Sequence, residues 1–431
     1  MVSAGAADWV SVEEARDTIL RAVPALPPER RPLLDCLGAA LAEDIRAPVD
    51  LPPWDNSAMD GFAVRAADVR GASPEQPREL PVADDVAAGH FPSSALRAGT
   101  AVRVMTGAPV PQGADSVIRV EHTDGGVAIG AAGARVRVLS DADAGRNVRP
   151  RGEDLRRGQL ALGKGIRLGA AELGVAAALG CAELSVGRRP VVAVLTSGDE
   201  LVDIHGFAEV MAGRKIVSST SYALAAALAE CGAEARLLGI AADTPESLRD
   251  HLERALGCDA LVTTAGLSVG EHDYVRRVLR EFGLREAFWR VRMRPGSPFA
   301  FGRLDELGGV PWFGLPGNPV SSLVTFEIFV RPALHRLAGH ERVFAPTVRA
   351  TILDDYAARP GLTHFARVRL RWSAGSAEAE LTGTQSSGAL SSLSAADGLL
   401  VVPENLAGAR AGESFATILP GGLPLRAEPG W

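Results

Sequence analysis

Residues 190–195 read PVVAVL, a continuous apolar run between Arg189 and the polar TSGDEL of residues 196–201. A run this short, with no helical spacing, is the pattern of a strand buried on both faces, as in a parallel sheet. Its downstream neighbours follow the same scheme. SYALAAALAECG (221–232) predicts a helix stopped by glycine, and AEARLLGIAAD (233–243) a second strand. TPESLRDHLERAL (244–256) predicts a helix capped by Thr244 with Pro245 in its first turn, and CDALVTT (258–264) a third strand. Strand, helix, strand, helix, strand predicts a parallel sheet with helices on both faces. Ligands bind such sheets at the carboxyl edge of the strands. The loops TSGDEL, IAADTP (240–245) and AGLSVGEHDY (265–274) are therefore where chemistry is expected.

Upstream, SVEEARDTILRAV (11–23) predicts a helix: Ser11 and Glu14 have capping-box spacing, and Val12, Ala15, Ile19 and Leu20 form an apolar stripe. Pro52-Pro53 and Asp55-Asn56 break regular structure, and short strand-like runs follow, GTAVRVMTGAPV (99–110) and ADSVIRVEHT (114–123). Downstream, FWRVRMRPGSPFAFGRL (288–304) and the segment from Val310 predict a strand pair, with a helix starting near Asn318-Pro319. THFARVRLRW (363–372) alternates, with Ala366, Val368, Leu370 and Trp372 on one face and Phe365, Arg367, Arg369 and Arg371 on the other. The expected fold class is multidomain α/β plus β. A discontinuous helical and linker domain (1–50 and 140–185) is interrupted by a β-rich insertion (51–139). A three-layer α/β domain with a mostly parallel sheet (186–340) and a small β-barrel-like domain (345–431) complete it.

A chain of 431 residues is too long for one ordinary core. With 47% hydrophobic and 23% charged residues it reads as globular, and its formal charge of -7 argues against nucleic-acid or anionic-membrane partners. The N-terminus has no secretory pattern, and no apolar run approaches membrane-spanning length. The four cysteines (36, 181, 231 and 258) are scattered, without a C-x-x-C pair, which suits reduced thiols in the cytoplasm.

Every loop after a strand of the α/β segment carries acid: Asp199 and Glu200, then Asp243, then Glu271 and Asp273. Carboxylates gathered at one edge suit Mg²⁺, which takes one or two of them plus substrate phosphates; acids near helix starts also favour the helix dipole. AGLSVG, with Ser268, and SSTS (218–221) can each hold an anion or cap a helix. Arg149, Arg151, Arg156 and Arg157 cluster around Glu153 and Asp154, while Arg290, Arg292 and Arg294 alternate as if along one strand. Both groups read equally as anion clamps and as surface ion pairs. DNSAMDG (55–61) reads alone as an Asx turn.

Seven stretches in this order, PPWDNSAMDGFAV, VMTGAPVPQGADSVI, NVRPRGEDLRRG, LTSGDEL, SVGEHDY, MRPGSPFAFG and GLPGNPVSS, resemble the molybdopterin molybdenumtransferase family, which includes the C-terminal domain of gephyrin. The resemblance runs from about Ser11 to Leu419. It implies a cytoplasmic enzyme of molybdenum cofactor biosynthesis that binds adenylylated molybdopterin, inserts molybdate and releases AMP with Mg²⁺. It also implies an elongated homodimer whose cleft joins the α/β domain of one chain to the N-terminal region of the other. It further implies molybdopterin adenylyltransferase and molybdoenzyme maturation factors as candidate partners.

Matched motif by motif, the implied catalytic residues are Asp60, Asp154, Glu200, Asp243 and Asp273, with Glu200, Asp243 and Asp273 at the metal. The implied substrate-binding residues are Thr106, Arg149, Ser218, Gly266, Ser268, Gly270, Arg290, Arg294, Ser297, Pro316, Asn318 and Ser387. Three positions depart from the family pattern: Ala265 stands for glycine, Ser297 for a frequent lysine and Thr220 for a favoured asparagine. They keep a non-catalytic pterin-binding scaffold as the alternative. A molybdopterin adenylyltransferase is disfavoured by the long N-terminal region and the β-rich tail.

Overall fold

The structure, a computed structural model, describes residues 9–125, 134–264, 274–373 and 376–420. Two compact units emerge: Asp44–Gly163 with Gly174–Cys181, and the rest of the chain.

In the larger unit the strands β1 (Val191–Ser197), β2 (Glu234–Ala241), β3 (Ala260–Thr264), β4 (Leu284–Trp289), β5 (Ala300–Leu304) and β6 (Val310–Leu315) form one sheet in the order β2-β1-β3-β6-β5-β4. The first four are parallel; β5 runs against β6, and β4 against β5. PVVAVL is continuous because both faces of β1 are buried: Val192 and Val194 enter one core, Ala193 and Leu195 the other. Burial of such side chains contributes roughly 1.5–3 kcal/mol each.

Helices α1 (Val12–Ala22), α2 (Ser219–Glu230) and α5 (Pro319–Thr325) supply the first core through Ala15, Ile19, Leu224, Leu228, Val320 and Val324. α3 (Pro245–Glu253) and α4 (Tyr274–Glu281) supply the second through Leu248, Leu252, Val275, Val278 and Leu279. This is the three-layer sandwich expected. The capping box of α1 is complete: Glu14 N donates to Ser11 Oγ at 3.1 Å and Ser11 N to Glu14 Oε2 at 2.7 Å. Thr244 accepts from Ser247 N at 3.3 Å, capping α3. α2 starts at Ser219, earlier than its apolar pattern predicts, because Thr220 is buried in its first turn.

Five C-terminal strands close on themselves: β7 (Thr347–Ile352), β8 (Thr363–Ser373), β9 (Ser376–Leu381), β10 (Gly398–Val402) and β11 (Ser414–Ile418). β8 pairs with both β9 and β10, β9 with β7, β7 with β11 and β11 with β10. Ala366, Val368 and Leu370 point into the barrel, as the alternation predicts. The opposite face of β8 departs from its polar reading: Phe365 and Arg367 are both buried, and only Arg369 and Arg371 reach solvent.

In the smaller unit a five-stranded sheet has the order Ser116–Arg119, Gly61–Val64, Ala101–Val104, Arg78–Val86, Arg135–Val138. Phe62 and Val64 pack on one face and Ala63 on the other. Gly61 is obligatory here, because a Cβ would lie 2.0 Å from the carbonyl oxygen of Ile118.

Candidate active site

In the larger unit, the pairings Gly239–Leu195–Thr263–Gly314–Ala300–Trp289 form one row across all six strands. This row marks the carboxyl edge of β2, β1, β3, β6 and β4, just inside the loops that carry the candidates.

After β1, Gly198 has φ +149°, and a Cβ there would lie 2.7 Å from Glu200 Oε2. Glycine thus lets the Glu200 carboxylate fold back against the backbone. Asp199 Oδ1 accepts from Asp243 N at 3.2 Å, tying the β1 and β2 loops together. Burial, followed by the like charges of Asp199 and Glu200, raises the proton affinity of Asp243 above the ordinary aspartate value. These three acids are therefore gathered. Among the described residues, no three carboxylate, imidazole or thiol groups converge closely enough to hold a metal ion by themselves. Gly266, Ser268, Gly270 and Asp273, and with them Ala265 and Glu271, lie outside the described residues.

The turn after β6 places Pro316 and Asn318 at the start of α5. Ser322 Oγ donates to the Pro316 carbonyl, while the exposed Asn318 side chain makes no capping bond. Val320 N donates to the Ser387 carbonyl at 3.2 Å, so Ser387 joins this turn from the C-terminal region. Ser218 is buried, with its Oγ 3.1 Å from Ser221 Oγ. It precedes α2 without a side-chain capping bond. Ser297 Oγ donates to the Met293 carbonyl at 2.5 Å, so its hydroxyl is engaged locally.

Arg290, Arg292 and Arg294 do not share a strand face. β4 ends at Trp289, Arg290 has φ +144°, Val291 bridges to Val10, and the short Met293–Arg294 strand then pairs beside β8. The Arg290 guanidinium lies 4.1 Å from the Trp289 ring centroid and 5.5 Å from that of Trp9. Arg292 forms ion pairs with Glu404 at 3.3 Å and Glu14 at 3.9 Å, which makes it a structural residue. Arg294 is exposed beside Tyr356 and His364; burial, followed by this neighbouring charge, depresses the proton affinity of His364.

In the smaller unit, Asp60 precedes the strand Gly61–Val64 and Thr106 follows Ala101–Val104, its antiparallel neighbour, so the two meet. Asp60 Oδ1 accepts from Thr106 N at 2.6 Å and from Thr106 Oγ1 at 2.7 Å. Those two bonds, the hydroxyl first, hold its carboxyl below the ordinary range. Arg149 pairs with Asn56 in a short ladder. Asn56 Oδ1 is buried without a partner among the described residues, which the Asx-turn reading of DNSAMDG does not anticipate. Asp154 is exposed and anchored through its N–H to the Leu51 carbonyl at 3.0 Å. The arginines around it pair elsewhere: Arg151 contacts Asp50 at 2.6 Å and donates its N–H to Asp55, while Arg157 N donates to Asp50. Those acids lie roughly a hundred residues upstream, beyond the reach of local pattern.

Three sequence profiles cover the chain: "MoeA N-terminal region (domain I and II)" over residues 10–180, "Probable molybdopterin binding domain" over 193–336, and "MoeA C-terminal region (domain IV)" over 349–419. They define the class, a multidomain protein of molybdenum cofactor biosynthesis. A Mycobacterium tuberculosis protein named molybdopterin molybdenumtransferase 2 is 37% identical over 93% of this chain and 97% of its own length. A Staphylococcus aureus molybdopterin molybdenumtransferase is 31% identical over 95% of each chain. The crystal structure of the molybdopterin biosynthesis moeA protein from Pyrococcus horikoshii OT3 superposes with a TM-score of 0.81 at 29% identity, covering 95% of this chain and all of that one. The chain belongs to the molybdopterin molybdenumtransferase family of enzymes.

Proposed function

We propose that the protein inserts molybdate into adenylylated molybdopterin and releases AMP in a Mg²⁺-dependent step, acting in the cytoplasm as a homodimer. The observation that carries this reading is the gathering of Asp199, Glu200 and Asp243 at the carboxyl edge, with the Asp243 proton affinity raised first by burial and then by the two neighbouring charges. Such crowding is relieved by a cation. A donor set of one or two carboxylates is what Mg²⁺ takes when phosphate oxygens complete its shell. In this reading Glu200 and Asp243 would hold the ion, with Asp273, which lies outside the described residues, completing the set. When bound, Mg²⁺ would neutralise charge on the pyrophosphate link.

The remaining tasks fall to this chain's own groups. Asp60, fixed by Thr106, presents an ionised acceptor. Arg149, Arg290 and Arg294 offer planar donor forks for oxyanions such as molybdate or phosphate. In the larger unit Pro316, Asn318 and Ser387 orient the substrate beside β6, with Ser218, Gly266, Ser268 and Gly270 as further proposed contacts; in the smaller unit Asp154 joins Asp60 and Arg149 as a proposed binding residue. The four cysteines are free thiols, as suits a reducing compartment. Among the described residues, no helix is long and apolar enough to cross a membrane.

The test is to mix purified protein with adenylylated molybdopterin, Mg²⁺ and molybdate, then follow AMP release and the molybdenum content of the pterin. Molybdate-dependent AMP release is expected. Pterin binding without it would favour a scaffold, for which the engaged Ser297 hydroxyl is the supporting observation. Formation of adenylylated pterin from ATP would favour the adenylyltransferase.

A further inference from the structure

Arg290 sits just beyond the carboxyl end of β4 with φ +144°, a conformation that side chains rarely adopt and that persists only where the surroundings over-determine it. The surroundings are the first described residues of the chain. Val10 N donates to the Arg290 carbonyl at 3.1 Å, and Arg292 N donates back to the Val10 carbonyl at 2.8 Å. The Arg292 guanidinium donates to the Trp9 carbonyl at 3.3 Å. This short strap therefore grips the backbone on both sides of Val291, immediately after Arg290, and fixes the Arg290 carbonyl.

Its side chain is gripped as well. The guanidinium lies over the indole of Trp289 at 4.1 Å and near that of Trp9 at 5.5 Å. No carboxylate pairs with it among the described residues. A guanidinium stacked on aromatic faces keeps its in-plane N–H donors available, and stacking limits the freedom it must lose when an anion arrives. Trp9 itself is 42% exposed. An exposed indole on a strap that is already hydrogen-bonded adds little to folding, which leaves its contact with Arg290 to be explained.

We propose that Trp9 is a positioning residue of the reaction: with Val10 and Trp289 it presents the Arg290 guanidinium edge-on to an anionic oxygen of the substrate. This rests on the reading of Arg290 as a substrate-binding residue given above. The shared chemistry is a phosphoryl or molybdate oxyanion, and the two are separated by which substrate's binding responds.

The experiment compares wild type with Trp9→Ala, Trp9→Phe, Arg290→Ala and the double variant Trp9→Ala/Arg290→Ala. KM for adenylylated molybdopterin, KM for molybdate, kcat and Tm are measured, with calorimetric binding of AMP and of molybdate as a readout independent of turnover. Trp9→Ala is expected to raise one KM, and weaken the matching ligand, about two- to fivefold, the size of an exposed cation–π contact. Trp9→Phe restores most of that loss, kcat and Tm stay near wild type, and Trp9→Ala adds nothing in the Arg290→Ala background. An unaffected Arg290→Ala variant would remove Arg290 from the site, and this proposal with it. An impaired Arg290→Ala variant beside an unaffected Trp9→Ala overturns the brace alone. Equal Trp9→Ala penalties with and without Arg290, or a loss confined to kcat and Tm, reduce Trp9 to a structural residue.

Discussion

Asp243 and Asp60 are both aspartates placed beside strand ends, yet their proton affinities move in opposite directions. Burial and two like-charged neighbours raise that of Asp243. Two hydrogen bonds from Thr106 lower that of Asp60. The carboxyl edge of the α/β sheet thus concentrates negative charge, whereas the smaller unit holds an ionised carboxylate whose Oδ1 is already engaged. The first arrangement suits a cation and the second suits a fixed acceptor; a chain can supply aspartates for either without any difference in local composition.

The comparison is tested hardest by Asp243→Asn. Removing one of the crowded charges is expected to lower AMP release at least about a hundredfold, the scale of losing an electrostatic contribution to the transition state, while the Tm of the metal-free protein stays level or rises. A fall in that Tm with activity retained would make the acids helix-capping residues instead. Next in size is Thr106→Val, which keeps the shape of the side chain but deletes the hydroxyl donor to Asp60. Steady-state assay should show a loss of roughly tenfold, the size of a charge-assisted hydrogen bond. Unchanged kcat and KM would remove the Asp60–Thr106 pair from the site.

pH separates the two acids by sign. Asp243 has a raised proton affinity in the folded state, so its contribution to stability is fully present below the ordinary aspartate value and is lost as pH rises through its folded value. Asp60 is depressed, so its contribution is present above the ordinary value and is lost as pH falls through its folded value. Thermal melts of the metal-free protein from about pH 3.5 to about pH 6, across the carboxylate range, should show wild type losing stability relative to Asp243→Asn as pH rises. Mg²⁺ should restore that loss at neutral pH and have little effect where Asp243 is protonated. A Mg²⁺ effect of equal size at both ends would detach the ion from Asp243.

Sequence pattern reached what local rules control. PVVAVL and its successors predict the parallel core because a strand buried on both faces leaves no room for polar alternation. Ser11–Glu14 and Thr244 are legible because caps act over three residues. Glu200 and Asp243 stand out because each follows a strand, so topology alone brings them to one edge. Arg290 is misread as part of an alternating strand because its bend is imposed by Val10, some 280 residues away. Arg151 is read against Asp154 although it pairs with Asp50, 101 positions earlier in the chain.

Arg367 shows the same failure inside the barrel and gives the smallest expected effect on activity. Period two correctly assigns it to the face of β8 opposite Ala366, but on that face it is wholly buried, and burial pulls its proton affinity down. Its Nε donates to Ser392 Oγ at 2.8 Å, and its terminal nitrogen donates to the carbonyls of Thr384 and Ser386 at 3.1 Å each. Neutral acceptors therefore hold this cation, and they belong to the segment that carries Ser387 to the start of α5. Arg367→Met keeps most of the apolar stem but removes the donors to the Ser392 hydroxyl and to the carbonyls of the exposed Thr384 and Ser386, at about 0.5–1.5 kcal/mol for each hydrogen bond lost. Thermal melts should register that loss, while kcat changes little and KM rises only a fewfold as the Ser387 carbonyl loosens from Val320. In the proposed reading, a buried charge held by neutral partners belongs to the scaffold, and a charge crowded by its own sign belongs to the chemistry. A large fall in kcat for Arg367→Met at unchanged KM would break that distinction.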